Sequence, residues 1–274
     1  MPLWTFFGLR QGKATTAWPL GDGQTGQDGV LGMPKIDPDR CAQDCRECGS
    51  ICPTEAIKFQ PDDTGAERLE VDYGRCVVCQ LCVEACPTDA AMTSDDWAFA
   101  TRDRADLVLS SGTAETHASD DSAAQPGPQS KAQFRRSLHI RHVDAGSCNG
   151  CESELQALNN PFYNLHRLGI FFTPSPRFAD LLLVTGPVTH AMRAPLLRTY
   201  EAMPEPRWVM AVGTCAVSGG IVEGGYACGH GLEDVLPVDL YLPGCPPNPA
   251  ALIETLLMFL DRAPQRVKGG RSVA

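Results

Sequence analysis

Along the second half of the chain, short apolar runs alternate with stretches whose apolar positions recur at helical spacing. Leu138–Val143, Asp180–Val184, Trp208–Val212 and Val238–Leu242 read as strands. The last three end at Thr185-Gly186-Pro187, Gly213-Thr214-Cys215 and Pro243-Gly244-Cys245. Helices are predicted from Glu152, from near Pro161, over His190–Met203 and from Pro249 to about Asp261. In the third of these, Met192, Leu196, Leu197 and Tyr200 fall on one face. Pro249 suits a helix start, where its missing N–H would have had no partner. The alternation predicts a mostly parallel sheet covered by helices, an α/β domain of flavodoxin-like type over residues 134–274.

The first half has a different pattern and little apolar core. Ala56–Gln60 and Arg68–Tyr73 can pair as short strands around Pro61-Asp62-Asp63-Thr64-Gly65. Around them lies an internal repeat. Cys41, Cys45, Cys48 and Cys52, followed by Pro-Thr-Glu-Ala, are echoed by Cys76, Cys79, Cys82 and Cys86, followed by Pro-Thr-Asp-Ala. This predicts an α+β domain over residues 1–110 that gains much of its stability from what its cysteines bind. Residues 111–133 are small and polar and read as a flexible linker.

Composition narrows the chemistry. A chain of 274 residues is long enough for two modest domains. Its 33 acidic and 23 basic side chains leave a net charge of −10, which argues against nucleic acid as a partner. Acids outnumber bases 18 to 10 in residues 1–110 but are balanced, 12 to 12, in 134–274. That is a soluble surface first, and one suited to docking redox proteins second. Thirteen cysteines, an odd count spaced like metal ligands, imply a reducing compartment rather than disulfides. The apolar Leu3–Leu9 has no positive residue before it and makes a poor signal peptide. Ala250–Leu260 contains Glu254 and is too short to span a bilayer. The expectation is a soluble, cytoplasmic protein that reaches a membrane only through partners.

The run Cys-x-x-Cys-x-x-Cys-x-x-x-Cys-Pro wraps a short loop around one corner of an iron–sulfur cube, and its fourth cysteine serves the neighbouring cluster. One 4Fe-4S cluster is therefore expected on Cys76, Cys79, Cys82 and Cys52, the other on Cys41, Cys45, Cys48 and Cys86. Zinc also takes Cys-x-x-Cys pairs, but it calls for two pairs with a long gap, not four close cysteines twice. Cys41 and Cys45 are separated by three residues where the usual run has two.

A further pair, Cys148-Asn149-Gly150-Cys151, stands alone after a strand and before a helix. A thioredoxin-like dithiol or a structural zinc site would read the same way. Cys215 and Cys245, however, also lie just past strand ends, and such ends converge on one crevice in an open α/β sheet. Four thiols meeting there favour a third 4Fe-4S cluster on Cys148, Cys151, Cys215 and Cys245. Cys228 reads as a small buried residue. Glu152, directly after Cys151, is either a helix-start acid favoured by the dipole or a proton relay beside a redox centre. The chain offers no nucleophile or other catalytic residue.

The segments His142–Glu152, 174–220 (PSPRFADLLLVTGPVTHAM…AVGTCAVSGG) and Leu242–Leu252 (LPGCPPNPAAL) resemble the small subunit of membrane-bound, formate-hydrogenlyase-type NiFe hydrogenases and the related complex I subunit that carries the terminal cluster. The N-terminal part, with Gly12-Lys13-Ala14-Thr15 and Pro19-Leu20 ahead of the double run, is similar to the ferredoxin-type subunit of the same complexes. The resemblance implies a fusion of two subunits that are usually separate, which fixes their ratio and raises their effective concentration. It implies three 4Fe-4S clusters relaying electrons to or from a catalytic large subunit. It also implies membrane subunits and an electron donor or acceptor as partners, and a place on the inner face of the cell membrane. Asn149-Gly150 between Cys148 and Cys151, where the complex I relative has adjacent cysteines, favours the hydrogenase side. The alternative is the fused iron–sulfur subunit of a complex-I-like NADH or ferredoxin:quinone oxidoreductase. A free ferredoxin-like carrier or sensor is a third reading, which the C-terminal domain speaks against.

Overall fold

A computed structural model of the chain describes residues 3–12, 18–19, 27, 29–42, 44–61, 67–111 and 137–272. The linker expected over 111–133 lies outside the described residues but for Ser111, as do positions 13–15, 20 and 62–65.

The first part runs α1 (Leu3–Gln11), β1 (Lys35–Ile36), α2 (Glu47–Ser50), β2 (Ile57–Pro61), β3 (Glu67–Asp72), α3 (Leu81–Glu84), β4 (Ala91–Met92) and β5 (Val108–Ser110). The sequence repeat is a structural one: each cysteine run folds over a short helix, α2 or α3, and β1 pairs antiparallel with β4. The expected hairpin is β2–β3, with Ile57 opposite Val71 and Phe59 opposite Leu69. β5 adds a third strand. It goes unread in the sequence because its single apolar stretch, Leu107-Val108-Leu109, is too short to show a period.

The second part runs β6 (Leu138–Asp144), α4 (Gly150–Ala157), β7 (Ile170–Phe172), β8 (Leu181–Thr185), α5 (His190–Glu201), β9 (Trp208–Val212), α6 (Thr214–Ser218), β10 (Leu240–Leu242) and α7 (Pro249–Phe259), with β11 (Val267–Lys268) and β12 (Arg271–Ser272) as a closing hairpin. The sheet has five strands in the order β10-β9-β8-β6-β7, and every pairing is parallel. Counted in chain order this is second, first, third, fourth, fifth, the flavodoxin-like sequence, with its switch point between β6 and β8.

Every residue of β8 and β9 is buried. Leu181, Leu183, Met210 and Val212 pack on Leu252 and Leu256 of α7, while Leu182, Val184, Val209 and Ala211 share the other core with Leu196 of α5. Because helices cover both faces, these strands read as continuous apolar runs rather than as alternations. α7 starts where Asn248 accepts a hydrogen bond from Ala251 N–H at 2.8 Å, with Pro249 in its first turn. The helix expected from near Pro161 is absent. Instead the Asn160 carboxamide accepts from Tyr163 N–H at 2.9 Å, a local turn that competes with helix, and a 3-10 turn follows over Leu165–Leu168.

The two parts are joined at the β10 edge. Thr101 and Tyr241 exchange backbone hydrogen bonds of 3.0 and 2.9 Å, and Gln265 donates to Asp106 at 2.8 Å. One buried apolar cluster contains residues of both parts, among them Ile57, Val71, Leu107, Val184 and Tyr241. Leu183, fully buried in the central strand, gives a direct stability test. Leu183→Ala should cost about 2–5 kcal/mol, read as a lower urea midpoint for loss of the helical circular-dichroism signal.

Candidate metal centre

The two cysteine runs build two cavities. One is lined by Cys52, Cys76, Cys79 and Cys82 together with Pro34, Ile57 and Val71. The other is lined by Cys41, Cys45, Cys48 and Cys86 together with Ile36 and Ala91. Each cavity therefore takes three thiols from one run and the fourth from the other.

Electrostatics follow the same grouping. Burial pushes the Cys48 thiol up to about 11, with Cys41, Cys45 and Cys86 adding to it. Burial pushes Cys76 up to about 12 and Cys82 to about 11, with Cys52 and Cys79 among the contributors to both. Without metal these thiols stay protonated at neutral pH, and binding an iron cluster must displace their protons. Backbone N–H groups point back at the sulfurs: Ala56 at Cys52 (3.3 Å), Val78 at Cys76 (3.4 Å) and Ala91 at Cys86 (3.4 Å).

The extra residue between Cys41 and Cys45 leaves the loop's last step unchanged. The residue before the second cysteine is left-handed in both runs, Asp44 at φ 61° and Val78 at φ 57°. For a β-branched residue such as Val78 this conformation is strained, by about 1–3 kcal/mol, a cost typical of functional loops.

The C-terminal thiols come from three strand ends. The loop after β6 carries Cys148, the first turn of α4 carries Cys151, α6 after β9 carries Cys215, and the loop after β10 carries Cys245. Burial raises Cys151, with Cys215, Cys245 and Cys148 acting on it in the same sense. Burial takes Cys215 to about 11, helped by Cys245 and Cys148. The backbone around them leaves no room for other side chains. At Gly213 (φ +85°) a β-carbon would lie 2.6 Å from Cys151 Sγ, and at Gly220 (φ +60°) 3.1 Å from Cys215 Sγ. Cys148 and Cys245 are exposed at the mouth of the crevice. Cys228 is buried, and its thiol donates to the Val222 carbonyl at 2.9 Å.

Glu152 is pinned rather than free. Its carboxylate accepts from Ser147 Oγ at 2.6 Å and from Thr185 Oγ1, and lies 3.6 Å from His142 Nε2. His142 in turn meets Thr185 Oγ1 at 2.9 Å, and burial holds its pKa below the ordinary histidine value. Glu152 and His142 line a cleft of about 490 Å³ together with Arg141, Gln156 and His166. The sequence singles out Glu152 but not the partners around it: Thr185 reaches it from β8, His142 from β6, and Ser147 from the loop between β6 and α4.

The donor set fits iron–sulfur clusters. Two groups of four thiols line cavities and receive backbone N–H groups at Cys52, Cys76 and Cys86, as such clusters require, and the thiols of the third group lie near enough to raise one another. Among the described residues no three His, Cys, Asp or Glu side chains gather closely enough for a single metal ion.

Comparison with known proteins places the two parts in recognised families. Residues 148–259 match the model of the NADH ubiquinone oxidoreductase 20 Kd subunit, and residues 40–90 match that of the 4Fe-4S dicluster domain. Formate hydrogenlyase subunit 7 of Escherichia coli (strain K12) is 42% identical over 148 residues, covering 54% of this chain and 58% of that protein. The chain thus spans little more than half the length of that relative. An uncharacterised protein of Methanocaldococcus jannaschii is 48% identical over 134 residues, 48% of this chain and 90% of its own length. Among solved structures, a chain of an archaeal membrane-bound sulfane sulfur reductase complex is 36% identical, with 49% of this chain and 77% of that one covered and a TM-score of 0.42. A chain of an NAD+-reducing NiFe hydrogenase is 23% identical, with 47% and 94% covered and a TM-score of 0.38.

Proposed function

From the chain's membership of the family of the NADH ubiquinone oxidoreductase 20 Kd subunit, here with a 4Fe-4S dicluster domain ahead of it, we propose that it is the electron-transfer subunit of a membrane-associated, hydrogenase-type complex. It binds iron–sulfur clusters, and in this reading it binds three. Cys41, Cys45, Cys48 and Cys86 hold one, Cys52, Cys76, Cys79 and Cys82 the second, and Cys148, Cys151, Cys215 and Cys245 the third. The domains follow the same division: 1–110 for the first two sites, 111–133 as linker and 134–274 for the third.

When bound, 4Fe-4S clusters supply one-electron redox chemistry. The chain's own residues do the rest. The cysteines fix each site, the N–H groups of Ala56, Val78 and Ala91 tune the sulfurs, and the apolar walls keep water out. We assign the substrate step to a partner subunit.

The observation that carries this reading is the convergence of four thiols from three strand ends, two of them exposed at the mouth of the crevice. A partner that covers Cys148 and Cys245 meets electrons there, as the catalytic large subunit of a hydrogenase would. Membrane subunits and a donor or acceptor protein complete the complex. Among the described residues no helix is long and apolar enough to cross a membrane, and we place the chain on the inner face of the membrane through its partners.

The test is purification in the native complex. About twelve irons per chain are expected from three four-iron clusters, with nickel in the partner and hydrogen uptake. About eight irons would remove the third site. An active complex without nickel would move the answer to a quinone-reducing, complex-I-like enzyme.

A further inference from the structure

Thr214 occupies an unusual position. It is 1% exposed, and its hydroxyl donates to the Cys76 carbonyl, 138 residues away in sequence, at 2.8 Å. The same oxygen accepts from Gly244 N–H at 3.2 Å, and Thr214 N–H donates to the Gly244 carbonyl at 2.9 Å. The next residue after Thr214 is Cys215, and the next after Gly244 is Cys245. One buried hydroxyl therefore ties together three segments, each of which carries a cysteine of a proposed cluster site. Cys76 belongs to the second site, Cys215 and Cys245 to the third.

The contact is reinforced from the side. Arg75, beside Cys76, makes a two-pronged ion pair with Glu223, which lies in the loop that follows α6. Arg75 also donates to the Thr54 carbonyl at 3.0 Å, two residues from Cys52. Arg75 and Glu223 side chains are only 21% and 22% exposed, so the pair is partly shielded from solvent. It keeps the two cysteine segments from sliding while Thr214 holds them at a hydrogen bond's distance.

We infer that Thr214 is the positioning residue for electron passage between the Cys52/Cys76/Cys79/Cys82 site and the Cys148/Cys151/Cys215/Cys245 site, its hydroxyl being the bridge between their ligand segments. The inference rests on the three-site reading above. It places the Cys41/Cys45/Cys48/Cys86 site outermost. What the bridge couples is the transfer of one electron: one site is oxidised as the other is reduced, with no bond made or broken and no proton moved.

A hydroxyl that only satisfied two buried backbone groups would matter for stability alone. Thr214→Val keeps the shape and removes the bridge, and Thr214→Ser keeps the bridge. Both are made in the full complex and compared for iron content, for cluster potentials by redox titration and for the rate at which the third site is reduced through the second, followed by freeze-quench paramagnetic resonance. In Thr214→Val, iron and potentials should match wild type while that transfer slows severalfold, and Thr214→Ser should restore it. A loaded Thr214→Val complex that transfers at the wild-type rate overturns the inference. If valine prevents loading, Thr214→Ala is measured in the same way, and a wild-type rate there overturns it equally. A wild-type complex with iron for only two clusters would sink the underlying three-site reading instead, and the iron count tells the two failures apart.

Discussion

Replacing Cys245 with alanine should remove the C-terminal cluster's paramagnetic signal, leave the two N-terminal signals in place and lower the iron count from about twelve to about eight per chain. The reason is geometric. Cys245 is the sole thiol that the β10 loop contributes, and it closes a site whose other three thiols come from the β6 loop and α6. Without Cys245 one corner of the site opens to solvent at the exposed mouth, and loss of the cluster is the expected result. The fold should survive the change. β8, β9 and α7 bury their apolar residues against one another without help from the cysteines, and Cys245 itself is exposed. Helical circular dichroism should therefore be close to wild type. If all three signals persist in the variant, the ligand set is wrong.

Replacing Cys86 with alanine should have an equally large effect, at the site of the other cysteine run. Cys86 follows Cys76, Cys79 and Cys82 in one run, yet its thiol lines the cavity of Cys41, Cys45 and Cys48. It also figures among the groups that raise both Cys41 and Cys48. Cys86→Ala should therefore abolish the same signal as Cys45→Ala, whereas Cys52→Ala should abolish the signal that Cys79→Ala removes. A shared loss between Cys86→Ala and Cys79→Ala would overturn the crossed pairing. The first site should also be the more fragile half of the domain, because few large apolar side chains other than Ile36 line it and the cluster carries much of its stability.

Much of this is legible in the sequence alone. The cysteine runs act over a few residues, where chain geometry alone decides which atoms can meet, and the fourth thiol of each run lining the other run's cavity follows from that loop. The strands of the second half were legible for a related reason: burial on both faces demands unbroken apolar runs, and Leu181–Thr185 and Trp208–Val212 supply them. The reading failed where local signals compete. The helix expected near Pro161 gave way to the turn capped by Asn160, and three-residue strands such as β5 and β7 are too short to carry a period.

By itself, then, the sequence determined the two cysteine repeats, the α/β alternation and the four thiols that lie past strand ends. Each of these is imposed within one loop or one element by spacing and periodicity. Only the tertiary structure decided that the sheet is wholly parallel with its switch point between β6 and β8, and that Glu152 is held by Ser147 and Thr185. It alone decided that Thr214 reaches Cys76 across 138 residues. Contacts of that kind depend on how two finished surfaces pack and on which buried polar groups then meet. No local pattern in the chain encodes where the other surface will be.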